Sequence, residues 1–181
     1  MATFVALLRG INVSGQKLIH MAALKDSFGA LGLDNVQSYL QSGNLVFQAG
    51  RTTPTKLAQS IKTRIADDFK HDVEVLVLAT KELNFIANSN PLLPRTGVDE
   101  KLYHGTFLFR PIADADFRKL KLPAQPGERA ILVGQVVLLY CPHGYGKTKL
   151  NNTFFEKAFK MPATTRNWRT VLALQNLCIV S

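Results

Sequence analysis

The sequence is poor in the residues that most often announce a chemistry. Its two cysteines, Cys141 and Cys178, stand in the apolar segments "VVLLYC" and "LQNLCIV". A free thiol in such a setting packs as a small hydrophobe, so neither a disulfide framework nor a cysteine metal cage is expected. The four histidines, His20, His71, His104 and His143, lie in separate segments without metal-ligand spacing. Cys141 and His143 are close enough for a nucleophilic dyad, but a cysteine that ends a buried strand is a poor thiolate. No Gly-x-Ser-x-Gly elbow is present. Asp67 and Asp68 read as solvated late-helix residues and Asp114 and Asp116 as a helix start, so no catalytic residue is named and no metal or cofactor is expected. No run of about 18 apolar residues exists to span a bilayer. The start "MATFVALLRG" also lacks the basic region of a secretory signal. The expectation is a cytoplasmic protein with no membrane partner.

Against these absences stands charge of one sign. The formal net charge is +9, and apolar residues at 46% with charged residues at 19% place the chain among ordinary globular proteins. Residues 1–90 carry nine basic and seven acidic side chains, whereas residues 91–181 carry thirteen and six, a net of +7. Such an imbalance suits nucleic acid, a phosphorylated metabolite or an acidic partner, and it also serves solubility alone.

The hydrophobic pattern gives the order of elements. "TFVALLR" (3–9) reads as a strand, and residues 21–32 place Leu24, Phe28 and Leu31 on one helical face with Gly32 as a stop. Residues 36–49 hold two strand-like runs around Ser42 and Gly43, a hairpin signal. Residues 53–70 open with a Thr53 cap beside Pro54 and space Leu57, Ile61, Ile65 and Phe69 four apart, and "DVEVLVLA" closes the set as a strand. This is a β-α-β-β-α-β order, predicting a ferredoxin-like domain over residues 1–90 with a short trailing helix. Two prolines and Gly97 mark a linker. Residues 91–181 then read as a smaller, basic α+β domain of order β-α-β-β-α-α.

Three segments carry candidate chemistry. In a split β-α-β sheet the third strand lies between the first two, so the loop after the first strand shares an edge with the hairpin. Arg9, Asn12, Ser14, Gln16 and Lys17 should therefore lie near Gln41, Ser42 and Asn44, with Gly10, Gly15 and Gly43 allowing close backbone approach. Glycine-rich loops of this kind cradle anions through backbone N–H groups, with Arg9 as a two-toothed contact; the same residues also simply make turns. "CPHGYGKTKL" has the Gly-Lys-Thr of a phosphate loop, but Cys141 holds the place of its first glycine. Lys147 and Lys149 before a helix still favour an anion there. In "TTRNWRT", Thr164 or Thr165 caps the last helix, Arg166 and Asn167 offer polar groups, and Trp168 serves either as a stacking plate or as a core anchor. The strand "NLVFQA" lacks the basic-aromatic signature of RNA-binding sheets.

Four stretches, "ALLRGINVSGQK", "YLQSGNLVF", "GYGKTKL" and "TTRNWRTV", together resemble a mainly bacterial family, the domain-of-unknown-function family 1697. The resemblance spans nearly the whole chain and implies a ferredoxin-like N-terminal domain joined to a second α+β domain, with no established activity. The family's polar signature falls on Arg9, Gly10, Asn12 and Gly15, on residues 41–44, and on Arg166, Asn167 and Trp168. Where the family often has Gly-Arg-Ser-Lys this chain has Gly146-Lys147-Thr148-Lys149, and lysine lacks arginine's planar grip. The functional expectation is a module that binds an anion, either nucleic acid or a phosphorylated small molecule. An enzyme acting on a phosphorylated or carboxylated substrate and a protein-interaction module are the alternatives.

Overall fold

Alternation and turn chemistry shape the first half of the chain. In the computed structural model, which describes residues 1–180, strand β1 (Ala2–Leu8) is followed by helix α1 (Met21–Gly29), strands β2 (Asp34–Tyr39) and β3 (Asn44–Ala49), helix α2 (Pro54–Phe69) and strand β4 (Val75–Ala79). Helix α2 starts where its residues require: the Thr53 hydroxyl accepts from the Lys56 N–H at 3.3 Å and Pro54 occupies the first turn. Helix α3 (Thr80–Asn88) continues directly from β4.

The second half contains strand β5 (Tyr103–Leu108), the short helix α4 (Asp114–Arg118), strands β6 (Arg129–Val133) and β7 (Val136–Tyr140), helix α5 (Asn152–Phe159), strand β8 (Ala163–Asn167) and helix α6 (Trp168–Val180). Strand β8 corrects the expected order, because Thr164 and Thr165 are strand residues rather than helix caps. Their branched side chains suit a pleated strand, and β8 pairs antiparallel with β5, Thr106 facing Thr165 and Leu108 facing Ala163. The cap of α6 comes instead from Asn167, whose Oδ1 accepts from the Arg169 N–H at 3.0 Å.

The protein is thus mixed α+β, with two four-stranded antiparallel sheets and six helices among the described residues. The sheet orders are β2-β3-β1-β4 and β6-β7-β5-β8. The chain divides into two compact units: unit 1 is Met1–Asn84 with residues 173–180, and unit 2 is Phe85–Leu172. In unit 1 the core gathers Phe4, Ala6 and Leu8 of β1 with Phe28 of α1, Phe47 of β3, and Leu57, Ile61 and Ile65 of α2. Phe28 meets Phe47 edge-on at 5.5 Å, a favoured aromatic geometry. In unit 2 Leu108, Val137, Leu139 and Ala163 of the sheet pack with Phe155 of α5.

Candidate functional site

The first candidate segment begins where β1 leaves its sheet. The Leu8 N–H donates to the Gly43 carbonyl at 2.8 Å and the Arg9 N–H to the Glu74 carbonyl at 2.9 Å. The chain then folds back on itself. Ser14 and Gly15, with φ of 51° and 73°, occupy the two central positions of a tight turn closed by the Gln16 N–H on the Val13 carbonyl at 2.9 Å. Two successive positive φ values are what a primed hairpin turn demands.

Asn12 fixes this loop in place. Its Nδ2 donates to the Ile19 carbonyl at 2.9 Å and to the Gln41 carbonyl at 2.8 Å, while its Oδ1 accepts from the Ile19 N–H at 2.8 Å. Both amide protons are engaged, so Asn12 shapes the site and leaves no donor for a ligand. Asn44 behaves alike: fully buried at the start of β3, it donates to the Tyr39 carbonyl at 3.0 Å and to the Ser42 hydroxyl at 2.9 Å. Gly43 is the position where glycine is required twice over. Its φ is +80°, and an added Cβ would stand 2.7 Å from Leu8 Cβ.

The loop carries Arg9, half-buried at its base, and the adjoining hairpin turn carries the exposed Gln41. The N–H groups of Gly10, Ser14 and Gly15 have no hydrogen-bond partner among the described residues. The Lys17 ammonium donates to the Asp72 carbonyl. Beside it Lys62 contacts both Asp72 and Glu74. The hydrogen bond to Glu74 holds its ammonium above the usual lysine range, with burial opposing and Asp72 adding to the rise. The Lys17 ammonium is thus held by a main-chain oxygen, and the carboxylates of Asp72 and Glu74 engage Lys62 of α2.

The second and third segments lie in unit 2. Lys147 and Lys149 are exposed, but the start of α5 is closed as an anion site. The Asn152 N–H donates to the Tyr145 hydroxyl at 3.0 Å and the Phe154 N–H to Asn151 Oδ1 at 3.0 Å, so two of the donors that a phosphate would use are engaged. Arg166 is only 8% exposed; its Nη1 donates to the Thr164 hydroxyl at 2.7 Å and the Thr165 carbonyl at 3.1 Å, and desolvation lowers its pKa to about 10. Trp168 is 0% exposed, which removes it as a stacking plate and makes it a core anchor. Cys141 is buried and its thiol is pushed up to about 11, first by desolvation and then by Glu128, while His143 contacts the Pro126 carbonyl at 2.9 Å. They form no nucleophilic dyad. No group of three metal-ligating side chains gathers among the described residues, and no described helix is long and apolar enough to cross a membrane.

A polar cluster that the sequence reading missed surrounds Asn167. Its Nδ2 lies 3.3 Å from His104 Nε2, and the His104 ring stacks on Tyr145 at 4.7 Å. Thr165 Oγ1 reaches Thr106 Oγ1 at 2.9 Å and Asn152 Oδ1 at 3.1 Å. Burial depresses the His104 pKa to about 4, so the ring is neutral at pH 7. Its Nδ1 is buried with no partner among the described residues. The signal was period-2 polarity, His104 with Thr106 and Thr165 with Asn167, which becomes visible only once β5 and β8 are known to pair.

The model of the family described as "Protein of unknown function (DUF1697)" matches residues 1–138. The chain belongs to this family. Among solved structures, this DUF1697 chain is similar to the conserved bacterial protein SP0830 from Streptococcus pneumoniae, at 22% identity over 98% of each chain with a TM-score of 0.76. At that identity the likeness establishes the fold alone. A search of curated proteins finds no match.

Proposed function

We propose that this DUF1697 protein binds a phosphate-bearing anion at the end of unit 1 where loop 9–17 meets the turn at residues 40–43. The observation that carries the reading is the pinned loop: three hydrogen bonds of the Asn12 side chain fix it to Ile19 and to the hairpin at Gln41, and the N–H groups of Gly10, Ser14 and Gly15, in the same loop as Arg9, are left without partners among the described residues. A loop held rigid in this way loses little entropy when an anion docks. Arg9, Gly10 and Gln41 would contact the anion; Ser42, Gly43, Asn12 and Asn44 would hold the geometry; Lys17 would contribute charge. The remaining nominees, Lys147, Lys149, Arg166 and Asn167, belong to the basic unit 2, whose net charge of +7 favours a polyanion such as nucleic acid as the source of the phosphate.

The strand order β2-β3-β1-β4, with β3 antiparallel between β1 and β2, supports a ferredoxin-like reading of the first domain. The two compact units support a two-domain division at residues 1–90 and 91–181, with the end of α6 grouped with the first. The proposal includes a cytoplasmic setting.

A thermal-shift panel of inorganic phosphate, mononucleotides, sugar phosphates and short oligonucleotides at low and moderate salt tests it. A ligand at 100 times its dissociation constant stabilises by about 2.7 kcal/mol, and Arg9→Ala should abolish the shift. Salt-sensitive stabilisation by every oligonucleotide identifies nucleic acid, and salt-resistant stabilisation by one small compound identifies a metabolite. No stabilisation by any member overturns the proposal.

A further inference from the structure

A cleft of about 530 Å³ lies within unit 2, remote in sequence from the loop just described. Its size falls in the range of small-molecule sites. One wall is a row across three strands: Arg129 of β6 stands opposite Tyr140 of β7, which stands opposite Tyr103 of β5, so the three side chains share one face of the sheet. The two phenol rings stack at 4.9 Å with 29° between their planes. Most of the remaining lining comes from the segment between Pro91 and Leu102, which contributes Leu92 and Pro94 as apolar surface and Asp99 as a carboxylate.

The polar groups of this cleft are underused by the protein. The Arg129 guanidinium makes one long contact, to the Leu92 carbonyl at 3.5 Å, and has no carboxylate within ion-pair distance among the described residues. Neither tyrosine hydroxyl has a hydrogen-bond partner among the described residues. Asp99 accepts from the Lys101 N–H at 3.2 Å through one oxygen, leaving the other. Arg129 and Asp99 also act on the Tyr103 phenol with opposite sign, which brings a positive and a negative group into the electrostatic reach of one ring. A simple anion would meet Arg129 but be repelled by Asp99, and a simple cation would meet the reverse. A ligand with both charges and an apolar body satisfies the whole lining.

We propose that this cleft binds a zwitterionic, apolar α-amino acid, with its carboxylate on Arg129, its ammonium on Asp99 and its side chain against Tyr140, Leu92 and Pro94. The guanidinium fork fits a carboxylate in two parallel hydrogen bonds. The tyrosine hydroxyls supply the remaining donors. The inference is independent of the anion site in unit 1.

Calorimetric titration of the intact protein with L-phenylalanine, L-leucine and L-methionine tests it, with phenylacetate and phenethylamine as probes that each lack one charge. At least one amino acid is expected to bind with a dissociation constant below about 10 mM, and phenylacetate and phenethylamine at least about tenfold more weakly. Arg129→Gln and Asp99→Asn, both at exposed positions, should each weaken binding at least about tenfold, and Arg9→Ala should leave it unchanged. The proposal is overturned by no binding from any of the three amino acids, by phenylacetate binding as tightly as phenylalanine, or by unchanged affinity in both cleft variants.

Discussion

The two units arrange their strands in the same permutation, β2-β3-β1-β4 against β6-β7-β5-β8, yet fill one corresponding place with opposite chemistry. On the helix-packed face of unit 1, β1 and β4 pair Phe4 with Ala79, Ala6 with Val77 and Leu8 with Val75. The same three positions of unit 2 pair His104 with Asn167, Thr106 with Thr165 and Leu108 with Ala163. Topology therefore does not dictate an apolar interior. Unit 1 gains from burial that needs no direction. Unit 2 places two polar pairs there and must satisfy each polar atom geometrically, which it achieves except at His104 Nδ1.

The hairpin turns offer the largest test of the comparison. Gly43 and Gly134 both have positive φ, but a Cβ at Gly43 would meet Leu8 Cβ at 2.7 Å, whereas at Gly134 the nearest atom is 3.9 Å away. Gly43→Ala is expected to cost about 3 kcal/mol or more, and Gly134→Ala about 1 kcal/mol, the cost of φ alone. Urea unfolding of both variants reads the difference, and equal losses would refute the steric argument.

Acid comes next. The folded His104 pKa of about 4 lies below the unfolded value of 6.5, so the unfolded chain takes up a proton first as pH falls. Stability is thus retained above about pH 6.5 and lost progressively down to about pH 4, by about 3 kcal/mol at most. His104→Phe, which restores the residue type found at Phe4, should remove that part of the pH dependence. An unaltered pH profile in the variant would show that His104 is not the titrating group.

Smaller effects follow from single polar side chains. Asn12→Ala removes three hydrogen bonds and should destabilise by about 2 kcal/mol, against about 1 kcal/mol for Thr165→Val. Amide hydrogen exchange at Ile19 should accelerate in the first variant and not in the second. Protection at Ile19 unchanged by Asn12→Ala would mean that the loop is held by other contacts.

How much of this was readable beforehand depends on the reach of each interaction. Helix α2 was readable because its signals are local: Thr53, Pro54 and a four-residue apolar spacing. The nearness of loop 9–17 to the hairpin followed from strand order, and the Asn12–Gln41 bond is its observed form. That the Asn12 amide is wholly engaged internally was not readable, since asparagine in a loop looks the same whether it binds a ligand or the backbone. Strand β8 was hidden because five residues between two helices carry little periodic signal and find their partner, β5, some sixty residues earlier. For the same reason the Arg129–Tyr140–Tyr103 row was invisible. "LYH" and "LYC" each hold a tyrosine at a strand terminus, but only the long-range register makes them neighbours.

The central claim is that loop 9–17 is a built anion site rather than turn chemistry alone. Titration of 15N-labelled protein with inorganic phosphate, followed by amide chemical shifts, tests it most directly. The prediction is saturable shifts at Gly10, Ser14 and Gly15 that disappear in Arg9→Ala while the rest of the spectrum keeps its dispersion. Absence of shifts at those amides, or identical shifts in the variant, would contradict it.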